Sequence, residues 1–273
     1  MAELSDPSEI VAGLSPIEGR RLYGQDPTAY DAGRPEYPER VWALLEERCH
    51  LVRGSRVVEI GPGTGLATRR LVSMGVNVTG IEPNASMAAY LQRTLDSDQA
   101  RIVVAPFEDA QLEGRSFDLA VAATSFHWLD QRTASAKLRR VVRSDGWIAI
   151  WWMLFEDPTR RDDFADAAES LLGGSPSSIL EPAQRPFQID EVKRRSDLRN
   201  AGFADVESEL IRSELDMDAT QVRALYATMA IVLRRPQHEQ RQALDAIEAL
   251  VHRNYGGRVT RTFLTALYTA RNP

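Results

Sequence analysis

The chain has 273 residues, 43% hydrophobic and 26% charged, and its 33 basic and 39 acidic side chains give a formal net charge of −6. That is an ordinary globular balance, able to bury a core without staples, and its acidic sign weighs against a nucleic-acid partner. One cysteine, Cys49, excludes a disulfide framework or CxxC motif. His50, His127, His238 and His252 fall at no metal-ligand spacing, so no metal is expected.

In chain order, residues 1–27 are rich in Ser, Pro, Gly and Asp without a period, and read as a poorly ordered arm that settles on a ligand site. The opening MAELSDPSEI lacks a basic start and an apolar h-region, which predicts a cytoplasmic protein. Residues 38–50 predict an amphipathic helix. Strands then alternate with helices. Residues 56–60, 76–82, 101–105, 117–123 and 147–155 read as strands; 66–74, 85–95 and 131–142 read as helices, with Asn84 as a cap. The longest apolar run, 148–155, is far short of the roughly 20 residues that span a bilayer, so no membrane partner is expected. Downstream, 158–172 and 190–201 predict helices around a loop at 173–186, and 203–211 and 258–270 predict strands. The helical pattern at 218–234 and 236–254 is too long for a plain connection, and such insertions usually carry function. The whole reads as α/β: a mostly parallel seven-stranded sheet with helices on both faces and a helical insertion near the C-terminus.

The segment VVEIGPGTG at 57–65 ends a strand and opens a helix. Glycines there let the backbone approach a ligand and expose N–H groups at a positive helix terminus. A dinucleotide fold spaces its glycines GxGxxG, whereas Gly61, Gly63 and Gly65 give GxGxG after the acid Glu59. Glu82 closes the second strand, where an acid can accept hydrogen bonds from both hydroxyls of an adenosine ribose.

Four ordered segments, VVEIGPGTG, GIEPNASM (80–87), VVAPFED (103–109) and SFDLAVAATSFHWLD (116–130), resemble the class I S-adenosylmethionine (SAM)-dependent methyltransferases. The small-molecule group, methyltransferase type 11, UbiE and trans-aconitate-like, is the most similar. The resemblance covers residues 28–155 and implies a Rossmann-like methyltransferase fold using SAM and releasing S-adenosylhomocysteine. It implies one domain over 1–273: an N-terminal flap and helix (1–50), a SAM-binding core (51–155) and a C-terminal half (156–273) with substrate-side helices at 213–254.

The same resemblance implies the site residues. Gly61, Gly63 and Gly65 approach the methionine part, Glu59 orients the ammonium, Glu82 binds the ribose, and Pro83 and Met87 line the adenine. The acid the family often carries after strand three is here Pro106, so Phe107 and Glu108 become the candidates beside the adenine. Tyr30 and Arg34, in AYDAGRPEYP (29–38), fold over the cofactor carboxylate, and Thr124 closes the cofactor site. His127 is a candidate general base or a wall residue, and His127, Trp128, Trp151 and Trp152 are candidate substrate contacts.

The expected reaction is in-line methyl transfer to an O, N or C nucleophile of a small molecule by a monomer or homodimer. DNA and RNA amino-methyltransferases carry [DN]PP[YF] after strand four, where this chain has Ala123-Thr124-Ser125-Phe126. The dispersed arginine pairs read as solvated helix faces, not a nucleic-acid surface. Two alternatives stay open: a SAM-binding protein without methyl transfer, and an NAD-type oxidoreductase.

Overall fold

The computed structural model describes residues 14–160, 162–173 and 186–273. Strands β1 (Arg56–Ile60), β2 (Asn77–Glu82), β3 (Ala100–Val104), β4 (Phe117–Ala123), β5 (Val142–Leu154), β6 (Ala204–Asp218) and β7 (Arg258–Arg271) form one sheet, in the order β3-β2-β1-β4-β5-β7-β6. β1 to β5 pair in parallel, while β7 runs antiparallel to both β5 and β6.

Both faces of the sheet are buried, so the central strands are apolar runs. On β5, Ile148, Ile150 and Trp152 pack on one face, and Trp147, Ala149 and Trp151 on the other. Helix α3 (Glu39–Cys49) covers the second face with Val41, Leu44 and Leu45. Helices α4 (Leu66–Ser73), α5 (Ala85–Thr94) and α6 (Gln131–Val141) follow β1, β2 and β4. A third apolar cluster joins α7 (Asp163–Leu171), α9 (Ala219–Ala227), α10 (Ala230–Leu233) and α11 (Gln237–Tyr255) to the ends of β5 and β7.

Several expectations need correction. Residues 16–23, read as part of an arm, and 27–33, for which no element was expected, are helices α1 (Pro16–Tyr23) and α2 (Pro27–Gly33). Ser15 and Glu18 cap α1 reciprocally, Asp26 accepts from the Ala29 N–H, and each helix begins on a proline. Helix α7 starts only at Asp163, capped by Asp162. The polar stretch 212–218 belongs to β6, not to the insertion, because it pairs with β7 as far as Asp218 opposite Arg258. Its charged side chains suit a sheet edge. The insertion is therefore α9, α10 and α11, and most of the expected loop at 173–186 lies outside the described residues. Asp190 caps α8 (Glu191–Asn200) at the place expected.

Lys137, on α6, is 8% exposed and spends its ammonium on backbone. Its Nζ donates to the carbonyls of Phe107 (2.5 Å), Glu108 (3.0 Å) and Ala110 (2.5 Å), fixing the loop after β3. Lys137→Met leaves those carbonyls without that donor, so a loss of roughly 1–3 kcal/mol is expected. Urea unfolding measures it, and an unchanged midpoint would refute the pinning role.

Candidate functional site

The strand order reverses between β1 and β4, and an open α/β sheet holds its ligand beyond the strand C-termini at such a point. A cavity of about 490 Å³ lies there. Residues 59–64 after β1, 82–84 after β2, Phe107 after β3 and Thr124, Ser125, His127 and Trp128 after β4 form its inner wall. Helices α1 and α2 cover one side with Gly19, Arg20, Tyr23, Tyr30 and Arg34. The outer part is lined by Trp152, Phe155, Tyr226, Met229, Ile231 and Arg261.

The glycine loop is held by sterics and by one carboxylate. Gly61 has φ 64°, and a Cβ there would stand 2.7 Å from the Ser125 Cβ, whose hydroxyl donates to the Ile60 carbonyl. Glu82 is 5% exposed, and accepts from the Gly63 N–H at 2.9 Å and the Asn84 N–H at 2.8 Å. Burial pushes its carboxyl pKa up, against the pull of those two hydrogen bonds and of Arg20.

Glu59 is more constrained. It is 1% exposed; Oε2 accepts from the Thr68 hydroxyl at 2.6 Å, and Oε1 has no hydrogen-bond partner. Burial raises its pKa to about 7, opposed by the Thr68 bond and reinforced by the negative charge of Glu82.

His127 is buried, with its ring 4.6 Å from that of Trp128. The indole N–H of Trp152 donates to His127 Nδ1 at 2.9 Å. An indole only donates, so Nδ1 is the acceptor and the neutral ring carries its hydrogen on Nε2. Burial lowers the pKa to about 3, keeping the ring neutral at ordinary pH. This geometry argues against the base reading: one ring nitrogen is occupied and the other is a donor.

The remaining expected residues divide. Pro83, Met87, Phe107, Tyr30, Arg34 and Thr124 line the cavity, as do Gly61 and Gly63. Thr124 takes φ 54°, unusual for a side chain that branches at Cβ. Arg34 lies between the Tyr30 and Phe155 rings and donates from Nη2 to the Thr228 carbonyl at 2.9 Å. Three residues do not join the cavity wall. Gly65, at φ 98°, caps α4, and its missing Cβ makes room for Leu91 rather than for a ligand. Glu108 lies outside the lining, within the loop that Lys137 fixes. Trp151 points to the opposite sheet face from Trp152, fully buried edge-on to Tyr37 and Trp42. Arg20 and Tyr23, which sequence reasoning missed, belong to the wall; the capping pattern of Ser15 and Glu18 was the available sign of their helix.

Such a site on such a sheet defines a class: an α/β protein that holds an adenosine-bearing cofactor. Residues 58–150 match the methyltransferase domain family Methyltransf_11. An uncharacterized methyltransferase of Mycobacterium tuberculosis is 32% identical over 132 residues, 48% of this chain and 51% of that protein. The chain thus spans about half the length of that relative. The malonyl-[acyl-carrier protein] O-methyltransferase of Geobacter sulfurreducens is 32% identical over 186 residues, 67% of each chain. Phosphoethanolamine N-methyltransferase 2 of Haemonchus contortus, solved with phosphomonomethylethanolamine and S-adenosylhomocysteine, superposes with a TM-score of 0.56 over 95% of this chain and 60% of that one. At 14% identity, that likeness shows the fold alone. The chain belongs to the class I SAM-dependent methyltransferases.

The residues present fit SAM, the methyl donor of this family. The unpartnered Oε1 of Glu59 in the cavity wall suits an ammonium, and the space at Gly63, where a Cβ would meet nothing within 4 Å, suits a close ligand.

Proposed function

We propose that this chain transfers the methyl group of SAM to a small-molecule acceptor seated in the outer part of the cavity. The observation that carries the reading is the partnerless buried oxygen of Glu59, beside the glycine loop and in one cavity with Glu82. When bound, SAM supplies a methyl group already made electrophilic by its sulfonium.

The chain's own residues bind, orient and exclude water. Glu59 receives the ammonium, and Glu82 receives the ribose hydroxyls at the end of β2. Pro83, Met87 and Phe107 flank the adenine. Tyr30 and Arg34 close over the amino-acid end, with α1 and α2 as the cover. Trp128, Trp152, Phe155 and Tyr226 offer aromatic surface that orients the acceptor and keeps water out. His127 offers its Nε2–H to an acceptor lone pair, and no proton is removed by this ring. An acceptor oxygen already ionised, such as a carboxylate, suits that arrangement. The net charge of −6 and the aromatic lining favour a small molecule over a nucleic acid. No helix among the described residues is long and apolar enough to cross a membrane. The described residues are read as one domain, with α9 to α11 on its acceptor side.

Release of S-adenosylhomocysteine from SAM during incubation with candidate acceptors tests the activity. Formation dependent on one acceptor is expected; binding of SAM without turnover on any acceptor would favour the non-transferring alternative. On the expected acceptor, His127→Ala should lower kcat less than tenfold while raising KM, and no ionisation of His127 should shape the rate between about pH 5 and 8. A loss of about 10²–10⁴-fold in kcat would restore the base role.

A further inference from the structure

A second cavity, of about 700 Å³, lies behind the first, between α6, α8 and β5. Trp152 is common to both walls. Nothing in methyl transfer uses this space, yet its lining is chemically specific.

The central group is Arg194, on α8, 4% exposed. Its guanidinium lies 3.5 Å over the Phe187 ring centroid. Nη2 stands 2.8 Å from Asp197 Oδ2, but none of Nε, Nη1 and Nη2 makes a hydrogen bond, and neither does that Oδ2. A structural ion pair in a dry site normally aligns its donors, since a buried charge without hydrogen bonds is costly. Gln131, on the same wall, has a buried Nε2 that also lacks a partner. Arg132 and Arg139 add two more cations, so three guanidiniums face one carboxylate. The rest of the lining includes Phe126, Ile150, Trp152 and Leu198.

We propose that this cavity is a binding site for an organic carboxylate. The carboxylate takes the unmet donors of Arg194 and the Gln131 amide, and the apolar body lies against Phe187, Trp152 and Leu198. A planar guanidinium fork matches a carboxylate bidentately. The cavity volume falls within the roughly 300–1,000 Å³ of small-molecule sites. Arg132 and Arg139, exposed at the mouth, attract the anion from solution.

The test is a calorimetric titration of the full chain, saturated with S-adenosylhomocysteine, using phenylacetate, its uncharged analogue phenylacetamide, and inorganic phosphate. Phenylacetate is expected to bind at least tenfold more tightly than either of the others. Arg194→Met is expected to abolish that binding while leaving the affinity for S-adenosylhomocysteine unchanged. Should Arg194→Met fail to fold, the paired surface change Arg132→Ala and Arg139→Ala carries the test, with an expected loss of tenfold or more. Tyr226→Phe, in the first cavity, should leave phenylacetate binding unchanged. No binding of phenylacetate at millimolar concentration, equal binding of phenylacetamide, or binding insensitive to the arginine changes would overturn the proposal. Preference for phosphate would also overturn the assignment to a carboxylate.

Discussion

Glu82→Ala is expected to weaken SAM binding by roughly 1–3 kcal/mol, about 5–150-fold. The reason is local. The carboxylate sits at the end of β2, almost out of solvent, with both oxygens already tied to backbone N–H groups of Gly63 and Asn84. Carboxylate oxygens have several lone-pair sites, so the same group can accept ribose hydroxyls while bracing the loop. Alanine removes both actions. Glu82→Gln keeps acceptor capacity on one oxygen and should lose less. Calorimetry with each variant, beside an unfolding curve, separates binding from stability. Unchanged affinity in a folded Glu82→Ala protein would remove Glu82 from the cofactor site.

The second large effect is a proton linked to Glu59. Its carboxyl, ordinarily at 4.5, is held near 7 by burial. An ammonium against Oε1 favours the ionised form, so binding at pH 6 should release a proton. Affinity should rise with pH up to about 7, at most tenfold per pH unit. Titrations in two buffers of different ionisation enthalpy count that proton, and Glu59→Gln should abolish both the release and the slope. The same shift has a sign for stability. Between pH 4.5 and about 7 the cofactor-free folded protein keeps a proton that the unfolded chain has lost. Stability should therefore fall as pH rises through that window, by up to about 1.4 kcal/mol per unit. A cofactor-free protein that gains stability over the same range, with Glu59→Gln unchanged from it, would contradict the placement of Glu59.

How far this was legible in the sequence depends on how local the cause is. β1 and β4 run over the expected residues because apolar runs bounded by turn residues leave little choice, and Asn84 caps α5 as its side chain predicts. Helices α1 and α2 carried equally local signals, Ser15 with Glu18 and Asp26 with Pro27, masked by a composition that suggests an arm. β6 was cut short because residues 212–218 are polar, and only their partner β7 makes them a strand.

The site divides in the same way. Glycine spacing and the two acids are chain-local, whereas the direction of a side chain is not. Trp151 and Trp152 look alike in sequence, but alternation along β5 sends one to the core beside α3 and the other to the cavity. His127 reads as either a base or a wall residue until the Trp152 indole, 25 residues away, fixes its tautomer. Gly65 belongs to the glycine motif, but the space it leaves is taken by Leu91 on the next helix.

The most direct measurement is calorimetric titration of the protein with SAM, S-adenosylhomocysteine and NAD. Saturable binding of both adenosyl compounds, weakened by Glu82→Ala and with no heat from NAD, is the predicted result. Binding of NAD without either adenosyl compound would contradict it.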